Sequence, residues 1–336
     1  MTQAPILLTG ASGHLGVAIA RALLAAPDAP PVRLLVRSEA KVQQLIDLDP
    51  ALACLAKAEL VVGDFRDRAL LARGLHGAGA VIHNLHTHEY WKGTEHIIDV
   101  NVEGARRLAE AAVEARVARM IYVGSYSVHF KTEGPSADDL RTMSARGASS
   151  QAKYVVQRVL EKASQDGACF RFDVVSPSYM MGPWQLDPTY FGILFHLVYL
   201  CRLKWALPGG VNLVDVRDVA DAVVGCLDAD QPQKILATGE NLTFQQIFRS
   251  MNQAGSRPYD PKPIRPGLLR RLPRLRFFGD FGKYYFDRPH WVDQPSDLTG
   301  RRSSEETIAD TVAFAGKNHM FDNRWQLVRW LVRRYI

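Results

Sequence analysis

The sequence predicts an α/β fold, with a doubly wound parallel sheet and a smaller, mixed C-terminal lobe. Over the first 180 residues, short aliphatic runs alternate with longer stretches rich in alanine and leucine. This alternation is typical of strands that are buried on both faces and connected by helices. A glycine-rich segment directly follows the first run, and turn residues become frequent after Pro177. The first feature favours a ligand site at the sheet edge, and the second favours a separate lobe of loops.

The predicted strands share a short run of β-branched or aliphatic residues. They are Ile6–Thr9, Val32–Val36, Leu60–Val62, Ala80–Asn84, Met120–Gly124 and Phe172–Ser176. The clearest helical segments keep one apolar face; they are 14–26, 100–115, 215–227, 243–252 and 322–334. Repeated strand, helix, strand units imply right-handed crossovers. We therefore predict a dinucleotide-binding domain at 1–180 and a substrate-binding lobe at 181–336, with 211–228 returning to the first domain.

Composition and targeting signals indicate a globular protein of the cytoplasm. The 336 residues are 47% hydrophobic and 23% charged, which is ordinary for a folded chain. The N-terminus lacks the pattern of a signal peptide. The longest apolar run, Tyr190–Cys201, has twelve residues, fewer than the roughly 20 that cross a bilayer. The four cysteines show neither disulfide nor metal-ligand spacing, so we expect no metal.

One segment carries the charge excess of the chain. The formal net charge is +6, and residues 262–288 contain eight Lys or Arg and two Asp, so this segment alone has 8 − 2 = +6. Basic and apolar residues alternate there, a pattern that fits peripheral contact with an anionic membrane surface or an acidic partner. The alternative is a solvated loop or helix docked on the protein, since Pro273 interrupts any long helix. We expect a small-molecule substrate and no nucleic-acid partner.

The segment Thr9–Gly16, with the sequence TGASGHLG, follows a predicted strand and opens a predicted helix. Glycines allow a tight turn and a close approach of the backbone to a pyrophosphate, and the helix N-terminus offers free N–H groups. This context predicts a Rossmann dinucleotide site. The second strand ends in Arg37, where an acidic residue would favour NAD and arginine accommodates a 2′-phosphate. We therefore predict NADP(H) as the cofactor.

Further motifs complete a resemblance to a known family. They are GDFRD at 63–67, VIHNLH at 81–86, NVEG at 101–104, YVGS at 122–125, the stretch from Pro177 to Pro183, and VDVRDVA at 214–220. Over residues 5–228 the chain resembles extended members of the short-chain dehydrogenase/reductase superfamily, related to sugar-nucleotide epimerases, dihydroflavonol reductases and 3β-hydroxysteroid dehydrogenases. The predicted cofactor-binding residues are Thr9, Gly10, Ser12, Gly13, His14, Leu15, Gly16, Arg37, Asp64, Phe65, Leu85, Lys153 and Pro177.

The resemblance implies a serine, a tyrosine and a lysine at the reaction centre, but one of them is missing. Ser125 matches the serine and Lys153 the lysine, whereas Ser149 occupies the tyrosine position four residues before the lysine. Residues four apart share a helix face, so Ser149 belongs to the site. Its hydroxyl is too short to replace a phenol and too weak an acid to relay a proton near neutral pH. A shifted pair of Tyr154 and Arg158 is the alternative to the missing tyrosine and Lys153. Tyr154 lies about 100° around the helix from Lys153, and Arg158 stays protonated, so it would relay protons poorly.

Another group must then donate the proton. The candidates are His86 and His88, which follow the fourth strand, together with Tyr126 and Tyr179. Histidine titrates near neutrality, although both histidines also fit ordinary hydrogen-bonded loop residues, and Tyr179 also fits a pocket wall. Two histidines without a third ligand do not predict a metal site. Conjugate reduction is the other way to work without the tyrosine, because the charge develops on a remote oxygen. The isoflavone reductase group, which keeps the lysine without the tyrosine, is an example.

These residues predict an NADP-dependent oxidoreductase that acts on a small, largely apolar carbonyl or conjugated metabolite. The apolar preference rests on residues 190–200 and Trp184; an ordinary buried helix explains 190–200 equally well. The alternative is an NADP-binding protein without redox turnover, either a lyase, isomerase or cyclase or a cofactor-sensing scaffold. Related proteins often form homodimers, so the resemblance implies that this chain is a candidate homodimer.

Overall fold

A computed structural model describes residues 4–25, 28–166, 170–185, 205–206, 208–256, 260–264 and 289–318 of the chain. The predicted helix at 322–334, the apolar run at 190–200 and residues 265–288 of the basic segment lie outside the described residues. The chain divides into two compact units. The first comprises Met1–Pro177 and Val219–Leu236, and the second comprises Ser178–Asp218 and Ala237–Ile336.

The first unit is built on a seven-stranded sheet. Its strands are β1 (Ile6–Thr9), β2 (Val32–Val36), β3 (Glu59–Val62), β4 (Ala80–His83), β5 (Arg119–Val123), β6 (Arg171–Pro177) and β10 (Lys234–Ala237). The order across the sheet is β10-β6-β5-β4-β1-β2-β3, and β1 to β6 pair in parallel. The predicted doubly wound α/β fold is confirmed.

Helices connect these strands. They are α1 (His14–Ala25), α2 (Glu39–Leu48), α3 (Arg68–Leu75), α4 (Thr94–Ile98), α5 (Gly104–Glu114), α6 (Tyr126–His129), α7 (Ala137–Arg141), α8 (Ala145–Gln165) and α9 (Val216–Gly225). Two 3₁₀ segments, Pro50–Lys57 and Tyr90–Lys92, and one π turn, Asp99–Glu103, lie between them. The apolar faces of α5 and α8 contribute to one core cluster with the aliphatic residues of the sheet, which fixes the loops at the carboxyl ends of the strands.

The helix predicted at 100–115 begins with the π turn rather than with regular α-helix. The ring of Phe65 packs against Gly104, where a Cβ atom would lie 2.5 Å from the ring. Only glycine therefore fits where α5 begins. This contact keeps Phe65, at the end of the β3 loop, buried beside the sheet edge.

The second unit contains a small mixed sheet. Its strands are β7 (Tyr179–Met181), β9 (Gly210–Asp215) and β11 (Glu240–Thr243), with a separate pair β8 (Trp205–Ala206) and β12 (Lys262–Pro263). Strand β11 runs antiparallel and β7 parallel to β9. Helices α10 (Phe244–Ala254) and α11 (Ser304–Lys317) share its apolar core. The smaller mixed lobe is confirmed, while the substrate-binding role of 181–336 and the return of 211–228 stay predictions.

Candidate active site

The carboxyl ends of β1, β4 and β5 bring three side chains into one row. Thr9 pairs in register with His83, and His83 with Tyr122. The imidazole of His83 stacks between the rings of Phe65 and Tyr122, at centroid distances of 5.5 and 5.7 Å. Its Nδ1 atom lies 2.9 Å from Thr9 Oγ1. Burial, followed by the charge of Lys153, lowers the pKa of His83 to about 3, so this ring is a neutral part of the floor of the site.

The glycine turn after β1 has the geometry that a dinucleotide needs. Gly10 has a φ of +68°, and a Cβ atom there would lie 2.9 Å from the backbone of Leu85. A Cβ atom on Gly16 would lie 2.1 Å from the carbonyl oxygen of Gly10. Glycine is therefore required at both positions for the backbone to approach this closely. The first turn of α1 contains no acidic residue, so its free N–H groups fit a pyrophosphate.

Three other predicted cofactor residues, Leu85, Asp64 and Arg37, follow strands β4, β3 and β2. Leu85 donates its backbone N–H to Thr9 Oγ1 at 3.3 Å. Asp64, a candidate acceptor for the adenine amino group, accepts hydrogen bonds from Arg66, including one of 2.6 Å from Nη2 to Oδ2. These hydrogen bonds hold the pKa of Asp64 at about 2, against the opposing effect of burial. Arg37 is exposed and lies 4.0 Å from Glu89.

Lys153 lies on α8, with its ammonium group turned toward the end of β5. The Nζ atom donates to the carbonyl oxygen of Val123 at 2.8 Å and lies 5.5 Å from the centroid of the Tyr122 ring. Burial lowers the pKa of Lys153 to about 8. The lysine therefore remains mostly charged at neutral pH. It supplies a cation beside the carboxyl end of β5.

The tyrosine position is occupied by a serine that contacts two histidines. The Oγ atom of Ser149 lies 3.2 Å from His86 Nε2 and 3.2 Å from His88 Nδ1, and it donates to the carbonyl oxygen of Thr87 at 3.3 Å. Ser149 is only 1% exposed. The loop after β4 thus places two imidazoles against the serine that replaces the phenol.

Both imidazoles are held in the neutral form. Burial and then the charge of Lys153 lower the pKa of His88 to about 3. The pKa of His86 falls well below its usual value because of burial first, and then because of the positive charge of Lys153. A neutral imidazole has one donor and one acceptor nitrogen. Each ring therefore acts here through its tautomer rather than through a positive charge.

Two residues that the sequence reasoning did not single out belong to this cluster. The phenol oxygen of Tyr90 lies 3.0 Å from His88 Nδ1, and the carbonyl oxygen of Thr87 accepts a hydrogen bond from the Ser149 hydroxyl. The signal was available in the polar and aromatic run Asn84–Trp91, but its three-dimensional contacts could not be read from spacing. Tyr90 adds a phenol to the group of side chains around the serine that stands in the tyrosine position.

The remaining predicted residues lie in different surroundings. Ser125 forms the N-cap of α6 and lies 3.0 Å from Ser127 Oγ. Tyr179 belongs to the second unit, where its ring lies 6.4 Å from that of His290. Tyr154, the other tyrosine of α8, donates to the carbonyl oxygen of Thr132 at 3.1 Å. Tyr154 thus bonds to a different loop from the one that Ser149 contacts. Tyr154 therefore does not replace the missing tyrosine beside the loop after β4.

Other kinds of site find no support in the described part of the chain. Within the described ranges, no group of three or more His, Cys, Asp or Glu side chains is arranged to hold a metal ion. In the same ranges, no helix combines the length and the hydropathy of a membrane span.

Comparison with known proteins gives a family and several relatives. Residues 6–238 match the NAD dependent epimerase/dehydratase family. The chain is 26% identical over 273 residues to sterol demethylase protein B of Methylococcus capsulatus, which covers 80% of each protein. It is 29% identical over 258 residues to a putative dihydroflavonol 4-reductase of Synechocystis sp., covering 73% of this chain and 71% of that protein.

Solved structures share the same fold. The structure of MoeE5 in complex with UDP-glucose and NAD is similar with a TM-score of 0.69 and 18% identity, over 94% of this chain and 99% of that one. At this level of identity the likeness concerns the fold alone. It supports the architecture of the sheet and the second unit.

Proposed function

Because the chain belongs to the NAD dependent epimerase/dehydratase family of extended short-chain dehydrogenase/reductases, we propose that it is an NADP-dependent oxidoreductase. Its substrate is a small, largely apolar carbonyl or conjugated metabolite. The observation that carries the proposal is the contact of Ser149 with His86 and His88, one turn before Lys153 on α8. A reaction centre of this family thus retains groups that can move a proton.

The cofactor assignment rests on the glycine turn and on Arg37. The turn at Gly10 and Gly16 and the start of α1 would hold the pyrophosphate, Lys153 the nicotinamide ribose, and Arg37 the 2′-phosphate. When bound, the nicotinamide supplies the hydride. The protein's own residues must orient the acceptor and provide the proton to its oxygen.

His86 is the proposed proton donor. Its Nε2 atom contacts Ser149, so the other ring nitrogen, Nδ1, is the one available to a substrate oxygen. The positive charge of Lys153 favours the negative charge that develops on that oxygen. Ser125, at the end of β5, is the proposed hydrogen-bond donor to the same oxygen. Tyr179, which belongs to the second unit, stays a prediction.

The substrate class rests on the relatives and on the chemistry of the loop. One relative is named for sterols, which are ring compounds with few polar groups, and another for dihydroflavonols, which carry a ring ketone and several hydroxyls. Simple ketone reduction needs a proton at the reacting oxygen, whereas conjugate reduction places the charge on a remote oxygen. Loss of His86 should therefore slow ketone reduction more than enone reduction.

The experiment follows nicotinamide absorbance with NADPH and a panel of apolar ketones, steroid ketones, dihydroflavonols and enones. Wild-type turnover is expected to fall by about 100-fold or more in His86→Gln on a ketone, the range of general acid catalysis. His76→Gln, an exposed histidine on the same unit, is the matched control. Tight NADPH binding without turnover of any panel member would overturn the proposed oxidoreductase activity. It would favour the alternative of an NADP-binding protein without redox turnover.

A further inference from the structure

Four side chains in the first unit touch one another in series. The Tyr90 phenol oxygen lies 3.0 Å from His88 Nδ1. His88 Nδ1 lies 3.2 Å from Ser149 Oγ, and Ser149 Oγ lies 3.2 Å from His86 Nε2. Every step is within hydrogen-bond reach. The series begins on the loop after β4, crosses to α8 and returns to the loop.

The Ser149 hydroxyl couples the two imidazoles. It has one proton and two lone pairs, and its three neighbours are His86 Nε2, His88 Nδ1 and the carbonyl oxygen of Thr87, which only accepts. When the hydroxyl points to Thr87, it can only accept from the two ring nitrogens. When it points to His86 Nε2, the proton of His86 lies on Nδ1. The direction of one O–H bond therefore selects the tautomer of His86.

We propose that Ser149 is a proton relay between His88 and His86, which rests on the proposed role of His86 as the acid. The His86 Nδ1–H bond breaks as an O–H bond to the substrate oxygen forms. The Ser149 proton moves to His86 Nε2, and the His88 Nδ1 proton moves to Ser149 Oγ. A proton from the solvent replaces it at His88 Nε2, since His88 is half-buried rather than buried. Both imidazoles begin and end neutral, with the proton on the opposite nitrogen.

The weak acidity of serine does not oppose this step. An isolated serine would have to become an alkoxide to give up its proton. Between two imidazoles, Ser149 gains one proton as it loses another, so no alkoxide accumulates. Its contacts on both sides, rather than its intrinsic acidity, provide the relay.

The surroundings favour neutral rings throughout the transfer. Lys153 on α8 and the neighbouring His83 and His88 face His86, and the guanidinium of Arg146 lies 5.6 Å from the centroid of the Tyr90 ring. Burial and the positive charge of Lys153 disfavour an imidazolium at His86. The Tyr90 hydroxyl can donate to or accept from His88 Nδ1, so it stabilises both tautomers. Tyr90 is thus a positioning residue.

The test compares Ser149→Ala with Ser150→Ala, the exposed serine that follows it on α8. Single-turnover oxidation of NADPH by a ketone substrate is measured in mixtures of light and heavy water. Ser149→Ala is expected to slow the proton-dependent step by about 100-fold and to change a curved dependence on deuterium content into a linear one. Ser149→Thr, which keeps the hydroxyl, should restore much of the rate. Wild-type rate and curvature in Ser149→Ala would overturn the relay.

A second measurement does not depend on turnover. Nitrogen NMR of the cofactor-free protein reports the tautomer of each imidazole, with assignments from His86→Gln and His88→Gln. The relay requires two neutral rings whose tautomer populations change in Ser149→Ala and not in Ser150→Ala. If wild type turns over no substrate, the proposed function fails while this measurement still decides the coupling. Unchanged tautomers in Ser149→Ala would overturn the relay in an active enzyme as well.

Discussion

The Nη1 atom of Arg37 lies 4.0 Å from the Oε1 atom of Glu89. This contact joins the end of β2 to the loop that carries His86 and His88. Partial burial opposes ionisation of Glu89, but hydrogen bonds from His96 and Lys92 lower its pKa, so the carboxylate is charged. The same carboxylate that attracts Arg37 would repel a phosphate bound to it.

Removal of the Arg37 guanidinium should reduce the preference for NADPH. A hydrogen bond to a charged group contributes about 1.5–3 kcal/mol, so Arg37→Ala should lower the ratio of kcat/KM for NADPH over NADH by about 10- to 100-fold. Affinities measured by quenching of protein fluorescence should change in the same ratio. Arg73→Ala, an exposed arginine on α3, should leave the ratio unchanged. An unaltered ratio in Arg37→Ala would exclude Arg37 as the phosphate ligand.

Glu89→Gln should act in the opposite direction. The substitution removes the competing charge, and the one amide oxygen that remains can accept from either His96 or Lys92, which contact different oxygens of Glu89. We expect NADPH affinity to rise by a few-fold, the size of a partly screened charge interaction, with NADH affinity unchanged. The effect should shrink as salt is added. A rise for both cofactors would indicate a general change in the loop instead.

The sheet was predictable because its signal is local. Strands β1 and β2 have the predicted bounds, since their aliphatic runs must be buried on both faces. Strand β10 was missed because Lys234–Ala237 begins with a charged residue and has only three apolar residues in succession. It is recognisable only through its pairing beside β6, a contact between segments far apart in the chain.

The sequence predicted which residues form the candidate site better than it predicted which of their side chains touch. Helical spacing placed Ser149 and Lys153 on one face, and the polar loop after β4 identified His86 and His88 as substitutes. Neither observation indicates that both imidazoles contact the same hydroxyl. Those contacts join side chains that are separated by 63 and 61 positions in the sequence. The engagement of Asp64 by Arg66 depends likewise on side-chain conformation.

The glycine turn should tolerate no side chain at position 16. A Cβ atom on Gly16 would lie 2.1 Å from the carbonyl oxygen of Gly10, so Gly16→Ala must displace the turn from α1. We expect loss of NADPH binding by at least about 100-fold, with destabilisation of about 1–3 kcal/mol from overpacking. Calorimetric titration and urea unfolding measure the two effects. Binding at wild-type affinity would show that the turn does not hold the pyrophosphate.

Gly225 provides the matched control for that substitution. It also lies in a helix, at the end of α9, and a Cβ atom there would meet nothing within 4 Å. Gly225→Ala should therefore leave NADPH binding unchanged and stabilise the protein by up to about 1 kcal/mol, the difference in helix propensity.

The neutral histidines should make the folded protein sensitive to acid. The pKa of His88 is about 3 in the folded protein and 6.5 without its surroundings, so between these values the unfolded chain binds more protons. Stability from His88 is complete above 6.5 and is lost as the pH falls toward 3. Its share of the slope is at most about 1.4 kcal/mol per pH unit.

Urea unfolding of the cofactor-free protein from about pH 7 to about pH 5 measures this slope. His88→Gln should flatten it, whereas His76→Gln, on the exposed surface, should leave it as in wild type. An identical slope in His88→Gln and wild type would show that the pKa of His88 is the same in the folded and unfolded states.

Restoring the missing tyrosine should fail unless space is made for it. Ser149 is buried, and its Oγ atom lies within 3.2 Å of two imidazoles, so a phenol in Ser149→Tyr would overlap the loop after β4. We expect destabilisation of about 1–3 kcal/mol and little ketone reduction. Ser149→Tyr combined with His86→Ala removes one ring and should recover stability, because the cavity and the added phenol compensate each other. Ketone reduction in the double variant above that of His86→Ala alone would show that a phenol one turn before Lys153 can serve as the acid. Full activity and stability in the single variant would mean that the imidazoles do not occupy the phenol's space.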